Sequence, residues 1–431
     1  MSKRLSRRRF LKSSAAVLAL AALPTRLYSF AVMRRAPIRL GIIGVANRGG
    51  DNLRELSGLA GVEIAALADV DERYLERAKK AHAGAKTFVD YREMIDAKGL
   101  DAVVVSTPDH HHAPATLRAL GAGLDVYCEK PLSHTVAEAR AMAELAKKNE
   151  RVTQMGTQIH AGENYRRVVE HIEGGVIGSV GEVYVFCNGK SWSGGDRPRE
   201  PMSPPKGFHW NLWLGPAPDR PYHSAYHPAN WRRFWDFGGG TLADMGCHYA
   251  DLAFWALKLK HPIKVGAEGP APHQETTPAD FIMHLDFPAR DGLAACRLDW
   301  HDGGAKPPIL KSLGLEAWSN GVLFVGEKGY LIADYDRLVL GPEAKAKEFK
   351  RPKATIPPSV GHHREWIDAI VSRGKTTCSF DYSSALSEAI LLGNVAFRAK
   401  APFGWNGAKL EADLPAAQAL IAKSYRDGWK I

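Results

Sequence analysis

Between Ile38 and Gly49 an apolar β-type run passes without a break into a glycine-punctuated turn, Gly44-Val45-Ala46-Asn47-Arg48-Gly49, and then into a helical stretch. Few folds accommodate that order. The first glycine allows the tight turn and the last lets the helix pack close to the strand. The helix N-terminus then presents N–H groups and a partial positive charge to an anionic ligand. The pattern is a G-x-A-x-x-G form of the dinucleotide fingerprint, with Ala46 where the middle glycine is usual. Asp69 stands twenty residues after Gly49, at the end of the next apolar run, where a carboxylate accepts bonds from ribose hydroxyls. An acid there repels a 2′-phosphate, so NAD is favoured, while nearby Arg48 leaves NADP open. Gly44, Ala46, Asn47, Arg48, Gly49 and Asp69 are therefore candidate cofactor contacts.

The runs Ile38–Gly44, Val62–Asp69, Ala102–Ser106, Asp125–Tyr127 and Val152–Gln154 alternate with amphipathic segments such as Glu72–His82 and Val136–Asn149. This spacing predicts an α/β Rossmann domain over residues 36–155, with a parallel sheet covered by helices on both faces. After it, a helix is expected over Glu163–Glu173. Runs such as Gly181–Cys187, Phe281–Phe287, Gly292–Trp300, Gly321–Val325 and Tyr330–Ala333 then alternate as strands do. They predict an α+β domain over residues 156–431 built on a large, mostly antiparallel open sheet. A long segment rich in Trp, Pro, Gly and His precedes the helix expected over Gly240–Leu257, and its irregularity suggests a binding loop.

The net charge of +10 suggests nucleic-acid binding until it is located. Residues 1–35 hold nine Lys/Arg and no Asp/Glu, so the remainder carries 48 basic against 47 acidic residues. A nucleic-acid surface is unsupported. The excess belongs to Ser6-Arg7-Arg8-Arg9-Phe10-Leu11-Lys12 and the apolar run Ala15 to Leu23 behind it, which match a twin-arginine export signal too short to span a bilayer comfortably. The expectation is a periplasmic protein, anchored if the signal stays uncleaved. Five scattered cysteines without a C-x-x-C pair imply neither a disulfide framework nor a zinc ribbon.

Chemistry-bearing residues cluster at the carboxyl ends of the expected strands, where open α/β sheets bind ligands. One group is Thr107-Pro108-Asp109-His110-His111-His112 and another is Glu129-Lys130-Pro131. The triple histidine invites a metal reading, but adjacent side chains diverge, so a solvated loop capping a helix from Ala115 is expected and no metal is assigned. In the second domain, Asp244 and His248 lie four apart on one face of the expected helix and can reach the same small ligand.

The T-P-x-x-x-H loop, the Glu-Lys-Pro motif and the Asp-x-x-x-His pair together resemble the Gfo/Idh/MocA family, and the resemblance runs over essentially everything after residue 36. It implies Lys130 as the catalytic lysine, Glu129 and His112 near the nicotinamide with Thr107 and Pro108 beside them, and Asp244 and His248 on the substrate side. It also implies a homo-oligomer. Independently of the family, His248 suits a proton acceptor held by a nearby carboxylate, and Lys130 can stabilise a hydroxyl becoming a carbonyl. His160, Trp231 and Arg232 are further candidates for contact with a sugar.

The implied activity is hydride transfer between a nicotinamide and a sugar, polyol or glycoside. Export sharpens this expectation, because a protein carried out folded takes its cofactor with it and reoxidises it in place. A tightly bound NAD and a redox-neutral cycle follow. The alternatives are a glycosidase working through transient oxidation and elimination, and a non-catalytic sugar-binding protein.

Overall fold

The computed structural model describes residues 36–189 and 192–429, so the export signal lies outside the described residues. Six strands form the first sheet: β1 (Ile38–Ile43), β2 (Val62–Ala68), β3 (Lys86–Phe88), β4 (Ala102–Val105), β5 (Asp125–Glu129) and β6 (Thr153–Gly156). Their order is β3-β2-β1-β4-β5-β6, and every pairing is parallel. Ala-Val-Val-Val in β4 is buried at every position, as expected for a strand covered on both faces. Strand order reverses between β1 and β4, which places the turn after each at the sheet's switch point. β3 is short and mostly exposed, and its three residues carry no usable alternation in the sequence.

The second sheet contains β7 (Val180–Cys187), β8 (Lys264–Glu268), β9 (Ile282–Phe287), β10 (Cys296–Asp302), β11 (Asn320–Gly326), β12 (Gly329–Ala333), β13 (Leu338–Gly341), β14 (Phe403–Asn406) and β15 (Glu411–Ala412). It is a mostly antiparallel mixed sheet in the order β13-β12-β11-β7-β10-β9-β8-β14-β15, with β7 and β10 parallel. Alternate residues of β9, such as Met283, Leu285 and Phe287, enter the core beneath the helices Gly240–Ala256 and Phe380–Ala399.

One helix from late in the chain also packs on the first sheet. The helix His362–Ser372 belongs to the late part of the chain, yet its Trp366, Ile367 and Ile370 complete the apolar layer under Leu40, Ile42, Leu53 and Leu56 of the first sheet. The two lobes therefore share a fold that residues 36–155 alone do not close. Among the described residues, no helix is long and apolar enough to cross a membrane.

Candidate active site

A cavity of about 610 Å³ runs along the carboxyl edge of the first sheet and under the helix Gly240–Ala256. Its floor is made by the turns that follow β1, β4 and β5. Gly44, Ala46, Asn47, Arg48, Asp69, Thr107, Pro108, Glu129 and Lys130 line it from the first domain, and Trp231, Arg232, Asp244 and His248 from the second. Most residues singled out in the sequence are thus brought to one place.

At the dinucleotide end the helix Arg48–Ser57 starts at the Gly-rich turn and directs its first N–H groups there. Gly49 does not line the cavity. It lies behind the turn, where an added Cβ would stand 2.0 Å from the carbonyl oxygen of Gly44. Asp69 holds the turn from the side, accepting from the N–H of Val45 at 2.9 Å and of Asp71 at 2.9 Å. Burial pushes its carboxyl up to about 6, and those two N–H bonds offset only part of the effect. A ribose hydroxyl donating to Asp69 favours the ionised form, so binding releases a proton from this group. We expect NAD affinity to fall by up to about tenfold for each pH unit below 6, and Asp69→Asn to weaken binding and flatten that dependence in calorimetric titrations.

At the far end Lys130 donates to the Asp244 carboxylate at 2.5 Å and to its backbone carbonyl at 2.6 Å. Trp192 Nε1 donates to the other carboxylate oxygen at 2.7 Å, and Arg232 Nε stands 3.3 Å from the oxygen that Lys130 bonds. Burial alone would raise the Asp244 carboxyl, but the charges of Lys130 and Arg232 and the bonds from Lys130 and Trp192 hold it well below the usual carboxylate range. The Arg232 guanidinium lies 4.3 Å from the Trp231 ring centroid and 5.3 Å from that of Trp192, which fixes its plane. Gly240, at φ +69, begins the helix against Thr277, and Asp244, Met245 and His248 follow on its cavity-facing side. His248 is kept neutral, pushed down to about 3 by burial and then by the Lys130 charge.

Between the two ends, Glu129 is buried and held by Asn52 at 2.8 Å and Gln158 at 2.9 Å. His363 in turn holds Asn52 at 2.9 Å, a contact between sequence-distant residues that no motif announces. Burial raises the Glu129 carboxyl. Asp109, passed over in the sequence, also lines the cavity, and burial pushes it up to about 7 despite the opposing charge of Arg232.

Several expectations are corrected. His110, His111 and His112 are buried, not solvated, and the helix begins at His112 instead of Ala115. The carbonyl of Trp213 faces Nε2 of both His110 and His111, at 3.0 and 2.8 Å. His112 lies outside the cavity wall, with its ring nitrogens 2.7 Å from the Pro131 carbonyl and 2.9 Å from that of Thr107, so it ties the two ligand-side turns together. His160 is not at the substrate end. It is 1% exposed, bonded through Nδ1 to Asp251 and stacked on Trp255 at 4.1 Å. It also shares the grouping His160, Asp251 and Cys378, in which potential metal-ligating atoms lie within 4.8 Å of one another. Trp231 lines the cavity but is 4% exposed, because Trp213, Tyr226, Phe234 and Phe237 form a local aromatic core with it.

The cavity fits a nicotinamide dinucleotide. Five buried polar atoms on its lining residues lack hydrogen-bond partners: Thr107 Oγ1, His111 Nδ1, Glu129 Oε2, His227 Nε2 and His248 Nδ1. Buried polar groups are normally hydrogen-bonded, and a ligand in the cavity can satisfy these. The Gly-rich turn and Asp69 supply the complementary anion and ribose sites.

Comparison with known proteins agrees. Residues 38–157 match the oxidoreductase family model for the NAD-binding Rossmann fold, and residues 164–299 match the C-terminal alpha/beta domain model of the same family. Inositol 2-dehydrogenase 1 of Saccharopolyspora erythraea is 34% identical over 154 residues, which is 35% of this chain and 45% of that protein. Glycosyl hydrolase family 109 protein 1 of Shewanella sp. (strain ANA-3) is 28% identical over 152 residues, 33% of each chain. The matches therefore span less than half the length of these relatives. The WlbA dehydrogenase of Bordetella pertussis, solved with NADH and UDP-GlcNAcA, shares the fold with a TM-score of 0.63 at 16% identity, covering 86% of this chain and 98% of its own. With both domain models matched in order and the motif residues gathered at one cavity, the chain belongs to the Gfo/Idh/MocA family of NAD-binding oxidoreductases.

Proposed function

We propose that the chain moves a hydride between a hydroxyl-bearing carbon of a sugar, polyol or glycoside and a tightly held nicotinamide, NAD in preference to NADP, in a redox-neutral cycle. The observation that carries this reading is the continuity of one cavity from the Gly44–Gly49 turn to the Lys130, Asp244 and His248 cluster. The nicotinamide, when bound, accepts or returns the hydride. His248, kept uncharged and weakly basic by its burial, takes the hydroxyl proton as hydride departure makes that hydroxyl strongly acidic, while Lys130 steadies the oxygen. Asp244 keeps Lys130 in place. Arg232, braced by Trp192 and Trp231, offers its remaining N–H groups to sugar hydroxyls. The twin-arginine pattern at Ser6–Lys12 supports export to the periplasm, and export of a folded protein supports a resident cofactor.

Asp109 favours a second reading, glycoside cleavage through transient oxidation. A buried carboxyl at about 7 in the cavity wall can hold and release a proton near neutrality, as departure of a sugar oxygen requires. The likeness to a glycosyl hydrolase family 109 protein points the same way. One experiment separates the readings: incubate the purified protein with sugars and aryl glycosides in deuterated water without added cofactor, then denature it and assay released NAD. Deuterium in recovered substrate indicates transient oxidation, and aglycone release indicates glycoside cleavage. A protein that neither releases nor binds a nicotinamide sinks both.

A further inference from the structure

The cavity has a wall that the Rossmann motifs do not provide. The segment 207–229 leaves the second domain, crosses to the carboxyl end of β2 and docks there through its backbone. Glu72 N–H donates to the Gly207 carbonyl at 2.9 Å, His209 N–H donates to the Val70 carbonyl at 2.9 Å, and Asp71 and Phe208 pair as an isolated antiparallel bridge. The side chains of His209 and Glu72 close the same joint at 2.7 Å. Farther along, His227, Pro228 and Ala229 line the cavity opposite Asp69, Val70 and Tyr74, the residues of the expected ribose end. His227 packs on Phe208 at 4.7 Å between ring centroids. Its Nε2 is buried, lacks a hydrogen-bond partner and stands 4.0 Å from the Asp71 carboxylate. The C-terminal stretch braces the strap from outside, with Arg426 donating to the carbonyls of Asn211 at 2.8 Å and Gly215 at 3.0 Å.

We infer that this strap is the second wall of an adenosine subsite, with His227 bonding the adenosine half of the dinucleotide and the Glu72–His209 joint holding the strap shut over it. The inference rests on the NAD reading above and goes beyond it, because it assigns retention of the cofactor to residues outside the dinucleotide fingerprint. A ligand enclosed between the strap and β2 leaves only when the joint opens. Breaking the joint therefore speeds release, whereas removing His227 weakens adenosine-bearing ligands alone.

The test uses the full chain loaded with radiolabelled NAD and chased with unlabelled NAD. Glu72→Ala and His209→Ala remove half-exposed side chains and should leave thermal unfolding nearly unchanged while raising the release rate about tenfold. His227→Ala should weaken AMP and NAD about tenfold and leave nicotinamide mononucleotide binding unchanged, with His227→Gln restoring part of the loss. Release rates equal to wild type in both joint variants overturn the inference, as does a His227→Ala protein that loses the mononucleotide as much as AMP. A wild-type chain that binds no NAD removes the cofactor reading itself, an outcome distinct from a wild type that retains NAD beside variants that retain it equally well.

Discussion

Replacing Lys130 by alanine is expected to cut hydride exchange by about 10³-fold while leaving the nucleotide bound. Lys130 is 12% exposed in its side chain, and its ammonium bonds Asp244 in the cavity wall. In the proposed reaction it shares the substrate hydroxyl with His248. Arg232 does not replace the lysine's charge: its Nε lies 3.3 Å from the same Asp244 oxygen, but its guanidinium is held by two indole rings. The nucleotide contacts proposed at the Gly44 turn, Asp69 and Thr107 do not pass through Lys130. NAD released on denaturation should therefore match wild type. Lys130→Met retains most of the stem and serves as the packing control, with the same loss of exchange expected. Lys130→Arg should not rescue, because a planar fork cannot take the place of a compact ammonium bonded to both a carboxylate and a carbonyl. Asp244 also loses its principal cation in these variants, so its carboxyl moves back toward the ordinary range. Exchange within tenfold of wild type in both Lys130→Ala and Lys130→Met would remove the lysine from the reaction.

What could be read in advance follows from how locally each feature is encoded. The β1 turn, the helix Glu163–Glu173 and the Asp244 to His248 spacing depend on residues a few positions apart, and periodicity and turn chemistry reveal such features. His160 went wrong because a histidine next to the last Rossmann strand looks the same whether it faces a cavity or a buried Asp251 that is 91 residues away. His110 and His111 read as solvated loop because their cover, the Trp213 carbonyl and its aromatic core, comes from a segment about a hundred residues later. Asn52 and His363 had no motif to announce them, and Asp109 stood inside the Thr107–His112 loop with no role assigned. Asn52 is an ordinary helix residue until Glu129 and His363 close on its side-chain amide. Long-range pairing, which sequence spacing does not record, decides which polar residue is buried and against what.

Gly49→Ala is expected to lower NAD affinity by about 100-fold or more and to destabilise the folded chain by about 1–3 kcal/mol. The position has ordinary helical geometry, so conformational freedom is not the issue. The obstacle is contact, since the new methyl would stand 2.0 Å from the Gly44 carbonyl oxygen and 2.7 Å from its carbon, where real atoms do not approach. Neither side yields cheaply. The Gly44 carbonyl belongs to a turn at φ +81 whose own added Cβ would meet the Ser106 carbonyl at 2.6 Å, and Val45 beside it is tied to Asp69. The helix Arg48–Ser57 must therefore lift from β1. That motion withdraws the N-terminal N–H groups from the anion site and pulls Asn52 from Glu129. Each hydrogen bond to a charged group is worth about 1.5–3 kcal/mol, so losing one or two accounts for the affinity drop. Gly58→Ala on the same helix is the control, because its Cβ would meet nothing nearer than 3.6 Å at a negative φ. Thermal unfolding with and without NAD distinguishes the two. The wild type and Gly58→Ala should gain stability from the nucleotide, and Gly49→Ala should gain almost none. An equal gain in Gly49→Ala would mean that the turn tolerates the lifted helix and that the nucleotide is held elsewhere.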